Sequence, residues 1–268
     1  MIMRGLLNAL KSKLSGVFPT KNPHANDPLL SKVPAYETWP HVPLRHLNET
    51  SIVYNFGVGE SIALEFVLSG LTACSVYHFD PTPRSAQHFA LCQQLLELTE
   101  HQRQDFIKHN TNPAFGGGDK NYLSIIAQSN ANINNQHFMN VGLYNEDATL
   151  DFFLPKNKEH VSLSIDNLQE TEESIQLQVL TIDSIMSKLN HQVIDYLKLN
   201  IEGAEVVSII HMLENTAVRP KFMSIKMELS RDKPGIETDR LQHQLETLLA
   251  KDYRIIFQNK DSYTYQLN

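Results

Sequence analysis

From residue 51 onward, short apolar runs alternate with longer stretches of helical period. "SIVYNF" is β-branched and aromatic enough for a buried strand, "GVGE" turns the chain, and "SIALEFVLSG" has apolar positions spaced for a helix that ends on Gly70, a natural C-terminal cap. "SVYHF" predicts a second strand, closed by Asp80-Pro81. "RSAQHFALCQQLLELTEHQRQDFIKH" predicts one long helix with Phe89, Leu91, Leu95 and Leu96 among its apolar positions. "HFMNVGLY" resumes as a strand, and "ATLDFFLP" alternates through Leu150, Phe152 and Leu154 as another. "SIQLQVLTIDSIMSKL" gives a strand and a helix starting near Thr181. "DYLKLN" and "KFMSIKMEL" supply two more strands, and "YRIIFQ" with "SYTYQL" a closing antiparallel pair. This alternation predicts an α/β fold with a doubly wound, mostly parallel sheet and a C-terminal antiparallel strand pair.

Two segments break the pattern. Residues 1–50 read as an N-terminal helical extension followed by a Pro-rich connector, with the domain proper over 51–268. Ile2, Leu6, Leu10, Leu14 and Phe18 fall at helical spacing, with Arg4, Lys11 and Lys13 elsewhere around the turn. Such a stripe packs on its own domain or on a partner subunit in a homo-oligomer; residues 1–18 lying on a membrane surface is the weaker alternative, because one short helix anchors poorly. Residues 110–136 are turn-rich and amide-rich and read as a flexible insertion. Their Gly116-Gly117-Gly118 run lacks the Lys-Ser/Thr partner of a phosphate loop and follows no strand.

Composition narrows the function classes. The 268 residues carry 23 Lys and Arg against 30 Asp and Glu, a formal net charge of -7 that offers phosphate backbones no general attraction, so a nucleic-acid partner is not expected. Two cysteines without C-x-x-C spacing fit a reducing, cytoplasmic setting. No apolar run approaches the roughly 20 residues of a transmembrane span.

In open α/β sheets ligands bind beyond the carboxyl ends of the strands, so the residues at those ends carry the chemistry. The first strand runs into Asn55-Phe56-Gly57-Val58-Gly59-Glu60-Ser61, where two glycines permit a tight turn and a close ligand approach, and the next helix offers free N–H groups. Ile62 stands where a dinucleotide fingerprint wants a third small residue, which argues against a nucleotide-dependent oxidoreductase. Asp80 closes the second strand, suited to a ribose diol; turn and acid together fit an adenosine-type ligand without pyrophosphate. As a plain turn or helix cap, Asp80 would need no ligand.

Four blocks carry a resemblance to a known family. "IVYNFGVGES", "VYHFDPTP", "VGLYNEDATLDFF" and "LTIDSIMSKL" followed by "DYLKLNIEGAE" resemble the strand, turn and signature segments of the FkbM family of S-adenosylmethionine (SAM)-dependent methyltransferases. The resemblance implies a Rossmann-like domain, SAM as cofactor, and methylation of a hydroxyl on a small-molecule or glycan acceptor. It implies that Asn55, Gly57 and Gly59 lie by the methionine part of SAM, that Asp80 holds the ribose, that Gly142 and Leu143 line the adenine region, and that Asn200 to Glu205 edge the reaction site. Departures stand out: Ser61 replaces the family's last turn glycine, and Asn55 and Asn200 replace family acids, keeping shape and hydrogen bonding without the charge. The two asparagines motivate the alternative of a SAM-binding module without catalysis. Glu202, His160 and Glu228, in that order, are the candidates for the base near the acceptor. Glu202 could equally be a first-turn residue favoured by the helix dipole. No spacing among Glu202, Glu228, Asp183 and His160 demands a metal, and none is expected.

Overall fold

The computed structural model describes residues 31–32, 41–110, 112, 115–118, 121–154, 171, 173–201, 203–227 and 236–268. The expected N-terminal helix and most of the connector lie outside them. Two short strands, β1 (Ser31–Lys32) and β2 (His41–Val42), pair antiparallel ahead of the domain.

The alternation of runs then produces the alternation of elements. Strands β3 (Ile52–Phe56), β4 (Ser75–Phe79), β5 (Gln136–Met139), β9 (Tyr196–Leu199), β10 (Phe222–Lys226), β11 (Tyr253–Asn259) and β12 (Ser262–Leu267) form one sheet. Its order is β11-β12-β10-β9-β3-β4-β5, parallel from β10 to β5, with β12 antiparallel to both β10 and β11. Chain order reverses between β3 and β9, so their carboxyl ends mark the switch point where such folds bind ligands. A smaller sheet, β6 (Gly142–Leu143), β8 (Ser174–Leu180) and β7 (Ala148–Phe153), stands beside it.

Side-chain alternation sorts the strands' two faces. Tyr54, Phe56, Leu197, Leu199, Met223 and Ile225 face a core closed by α5 (Ile182–Leu189), α6 (Glu205–Asn215) and α7 (Ile236–Asp252). Val53, Val76, Tyr196 and Phe222 face the side of α1 (Ala63–Thr72); α1 packs in turn with α2 (Pro83–Glu97) and α4 (Tyr122–Gln128). The predicted doubly wound α/β sheet and its antiparallel closing pair are present.

Three expectations change. Gly70 is not the cap of α1: the helix runs to Thr72 and is capped by Ala73 in the left-handed region (φ 60). Gly70 is instead the crossing point with the end of α4, since a Cβ there would stand 1.7 Å from the Ser129 carbonyl oxygen. The long helix after Asp80 divides into α2 and α3 (Glu100–His109), because Gln102 Oε1 accepts from Thr99 N (3.0 Å) and starts a new helix by the capping-box device. Within 110–136, read from its polarity as a flexible insertion, "YLSIIAQ" forms α4 and buries Tyr122, Leu123 and Ile126 on one face.

The far end of the sheet is tied down by Arg219. Its guanidinium donates to the carbonyls of Met212, Leu213 and Thr216 at the end of α6 and to Asp252 Oδ2 (2.7 Å) at the end of α7. Arg219→Ala leaves those carbonyls without their donor, and we expect it to cost about 2 kcal/mol in urea unfolding with an unchanged slope. An unshifted midpoint would mean that water replaces the guanidinium at no cost.

Candidate functional site

The strand mouth is assembled by backbone before any side chain enters. Asn200 N donates to Phe56 O (3.1 Å) and Gly57 N to Phe79 O (3.1 Å), so the ladders linking β3, β4 and β9 run one residue past the strands. Gly57 then turns with φ 86, and a Cβ on it would lie 1.9 Å from the Asn200 carbonyl oxygen. Only glycine allows the two strand ends to meet this closely. Gly59 also has positive φ (49), but a Cβ there would meet nothing within 4 Å: its outer side is open.

Asp80 holds the turn in shape. Its Oδ2 accepts from Val58 N (3.0 Å) and Gly59 N (3.1 Å), and its Oδ1 from Thr82 N (2.9 Å) and Thr82 Oγ1 (2.6 Å). The Thr82 hydroxyl also lies 2.8 Å from Ser85 Oγ. Its single proton can serve only one of these two acceptors, so a small rotation frees one acceptor direction on Asp80. Gly142 lies next to this group, where a Cβ would come within 3.3 Å of Pro81, and Leu143 is buried beside it in β6.

The turn's outer flank is gripped from the segment between α3 and α4. Gly116 N donates to Glu60 O (2.6 Å), and Ile62 N, at the start of α1, donates to Tyr122 Oη (2.9 Å). The Glu60 carboxylate takes Arg84 through Nε (2.9 Å) and Nη2 (3.2 Å), and Asn112 through Nδ2 (3.3 Å). Tyr122 is in turn bonded to His88 Nε2 (2.8 Å).

Of the residues expected at the site, Gly57, Gly59, Asp80, Gly142, Leu143 and Asn200 gather at these strand ends. Asn55 lies one residue deeper with its side chain fully buried, bonded to His78 Nδ1 (3.3 Å) and Lys198 Nζ (3.3 Å). Asn200 Oδ1 is buried and lacks a hydrogen-bond partner among the described residues. The three base candidates, Glu202, His160 and Glu228, lie outside the described residues. No group of three or more His, Cys, Asp or Glu that could hold a metal occurs among the described residues.

A polar row below the mouth was not anticipated. Thr264, Ser224, Lys198, Asn55 and His78 are register partners across β12, β10, β9, β3 and β4, all on the α1 face and all buried. Lys198 Nζ meets Glu65 Oε1 of α1 at 2.6 Å, and His78 Nε2 donates to Gln136 Oε1 (3.0 Å). The signal was present in "YLKLN", "ALEFVL" and "VYHF": a charge or imidazole inside an apolar run either faces solvent or has a buried partner, and these have partners.

Two expectations follow. Gly59→Ala strains only the backbone and should cost about 1 kcal/mol. Gly57→Ala must also part β3 from β9, and should cost more than about 4 kcal/mol or prevent folding; equal losses in urea unfolding would refute the close approach. Burial lowers His78 from 6.5 to about 4, with Lys198 adding to the effect against the upward pull of Glu65 and Gln136. Burial likewise lowers His88 from 6.5 to about 4, with Arg84 assisting. Both are neutral when folded and take up protons on unfolding below 6.5. Stability is therefore complete above that pH and falls toward pH 4, by up to about 1.4 kcal/mol per pH unit for each histidine. Urea midpoints at pH 7 and 5 check this, and equal midpoints would contradict it.

Comparison with known proteins bears on the same strand ends. Curated proteins give no match. Among solved structures, a methyltransferase FkbM from Methylobacillus flagellatus KT is 14% identical with a TM-score of 0.43, covering 82% of this chain and 44% of that one. The chain thus spans less than half the length of that relative. An rRNA methylase from Streptococcus thermophilus is 11% identical with a TM-score of 0.35, covering 84% of this chain and 92% of that one. The model of the methyltransferase FkbM domain matches residues 51–255, from the start of β3 into β11 and through the carboxyl ends of β3, β4 and β9. The chain belongs to the FkbM methyltransferase family.

Proposed function

We propose that the protein is a SAM-dependent methyltransferase that transfers the methyl group to a hydroxyl of a small-molecule or glycan acceptor. The observation that carries this is the turn at Gly57–Gly59: Asp80 holds it through Val58 N and Gly59 N, space is open beside Gly59, and the adjoining Asn200 has a buried Oδ1 without a hydrogen-bond partner among the described residues. A buried acceptor without a donor is costly unless a ligand completes it. SAM has the matching parts, an ammonium donor and a ribose diol.

Gly57 and Gly59 would border the methionine part, Asp80 the ribose hydroxyls, and Gly142 and Leu143 the adenine. Asp80 can accept from a ribose hydroxyl once the Thr82 proton turns to Ser85 Oγ, with no backbone movement. When bound, SAM supplies a sulfonium-activated methyl group. What remains for the chain is alignment of the acceptor oxygen and removal of its proton. Glu202 follows Asn200 by two residues in the signature and is the first candidate for that proton, ahead of His160 and Glu228. Membership of the family supports the methyl-transfer reading. The acidic net charge of -7 supports a small or neutral acceptor over a nucleic acid.

Calorimetric titration tests the cofactor, and we expect S-adenosylhomocysteine to bind and Asp80→Ala to weaken it about tenfold or more. No binding at millimolar ligand would overturn the proposal. For the chemistry, methyl-labelled SAM incubated with a host extract should label an acceptor component. Glu202→Gln should slow that labelling while leaving S-adenosylhomocysteine affinity nearly unchanged. Tight binding without any labelled component would favour a module that binds SAM but does not transfer the methyl.

A further inference from the structure

We propose that the buried Lys198–Glu65 ion pair is a positioning device that sets the geometry of the glycine turn, and that Asn55 keeps this device in charge balance. The inference rests on the proposed SAM site at Gly57–Gly59.

Lys198 and Asn55 each lie two residues before the closest contact of the mouth, that between Asn200 and Gly57. Two strand residues rise about 7 Å, so the pair sits below the ligand's level and acts on it only through the turn. Lys198 Nζ reaches Glu65 Oε1 (2.6 Å) in the first turn of α1, the helix into which the glycine turn runs. It also donates to Asn55 Oδ1 (3.3 Å) in the strand from which the turn departs. One ammonium therefore joins both flanks of the turn to the signature strand β9. The side chains of the ion pair are 6% and 1% exposed, so neither charge has water as an alternative partner.

The charge count explains the departure at position 55. Glu65 supplies one carboxylate to one ammonium, and His78 is neutral with Nδ1 accepting from the Asn55 amide. An acid at 55, as the sequence resemblance implies, would set a second carboxylate against the same Lys198. Asn55 fills that place with an oxygen for Lys198 and an amide N–H for His78, adding no charge. On this reading Asn55 is a residue of the buried network rather than a contact of the cofactor.

The test separates holding the fold from holding the turn. Lys198→Met and Glu65→Leu, measured singly and together, are followed by urea unfolding and by calorimetry with S-adenosylhomocysteine. Each single change strands a buried polar or charged group and should lower the urea midpoint. The double variant removes both charges and should recover most of the midpoint, yet bind S-adenosylhomocysteine about tenfold more weakly because α1 is no longer registered on β9. Glu65→Asp keeps both charges on a shorter arm and should give the same split between stability and affinity. Native affinity in the double variant and in Glu65→Asp would overturn the proposal, as would affinity losses that only follow stability. Failure of the unsubstituted chain to bind would instead remove the SAM site itself, and this proposal with it.

Discussion

The approach of Gly57 to the Asn200 carbonyl is the constraint on which the site depends. Two parallel strands separated by more than a hundred residues of sequence meet so closely at their carboxyl ends that a single methyl group would not fit between them. That contact fixes where the turn begins. The Asp80 carboxylate then fixes how it continues, by drawing two successive turn amides onto one oxygen. Asn112, Gly116 and Tyr122 hold the start of α1 by bonding Glu60 and Ile62. Turn, second-strand acid, Asn112, Gly116 and the start of α4 are therefore joined by hydrogen bonds into one unit.

Beneath that unit lies a sheet face with more polarity than a buried face ordinarily tolerates. Most polar groups on it are paired: Tyr196 Oη donates to Ser224 Oγ (2.9 Å), Ser224 pairs with Thr264, and Lys198 with Glu65 through Oε1, while Glu65 Oε2 has no hydrogen-bond partner among the described residues. Burying an ion pair contributes little net stability, since desolvation offsets attraction, but breaking one side of it is expensive. Such a row therefore works better as a register device than as a source of stability. It ties α1 to one position on the sheet where apolar packing alone would accept small shifts.

The fold was largely legible because strand runs and helical periods differ in length and spacing, and no long-range partner was needed to recognise them. What the sequence hid were effects of contact between distant segments. Gly70 looks like a cap because glycine ends helices, but its reason for being there is Ser129, which no local window contains. The polarity of 110–136 masks a single apolar face, Tyr122, Leu123 and Ile126, that becomes meaningful only against α1 and α2. At the site, the glycines, Asp80 and Asn200 were readable as strand-end residues. The partners that decide their behaviour were not: Thr82 and Ser85 for Asp80, and Lys198, Glu65 and His78 for Asn55. The resemblance implies a place by the cofactor for Asn55, and strand alternation directs its side chain into the core, where it bonds His78 and Lys198.

Asn55 and Asn200 carry neutral amides where the sequence resemblance leads one to expect acids. Asn55 bonds Lys198 and His78 within the buried network. Asn200 faces the functional question, since its side-chain oxygen is buried without a hydrogen-bond partner among the described residues. A crystal structure with S-adenosylhomocysteine tests this most directly. The expected density runs from Gly142 past Asp80 to the Gly57–Gly59 turn, with the ligand ammonium within hydrogen-bond distance of Asn200 Oδ1 and the Thr82 hydroxyl turned to Ser85. Ligand bound away from these strand ends, or an Asn200 side chain left unpartnered in the complex, would contradict it.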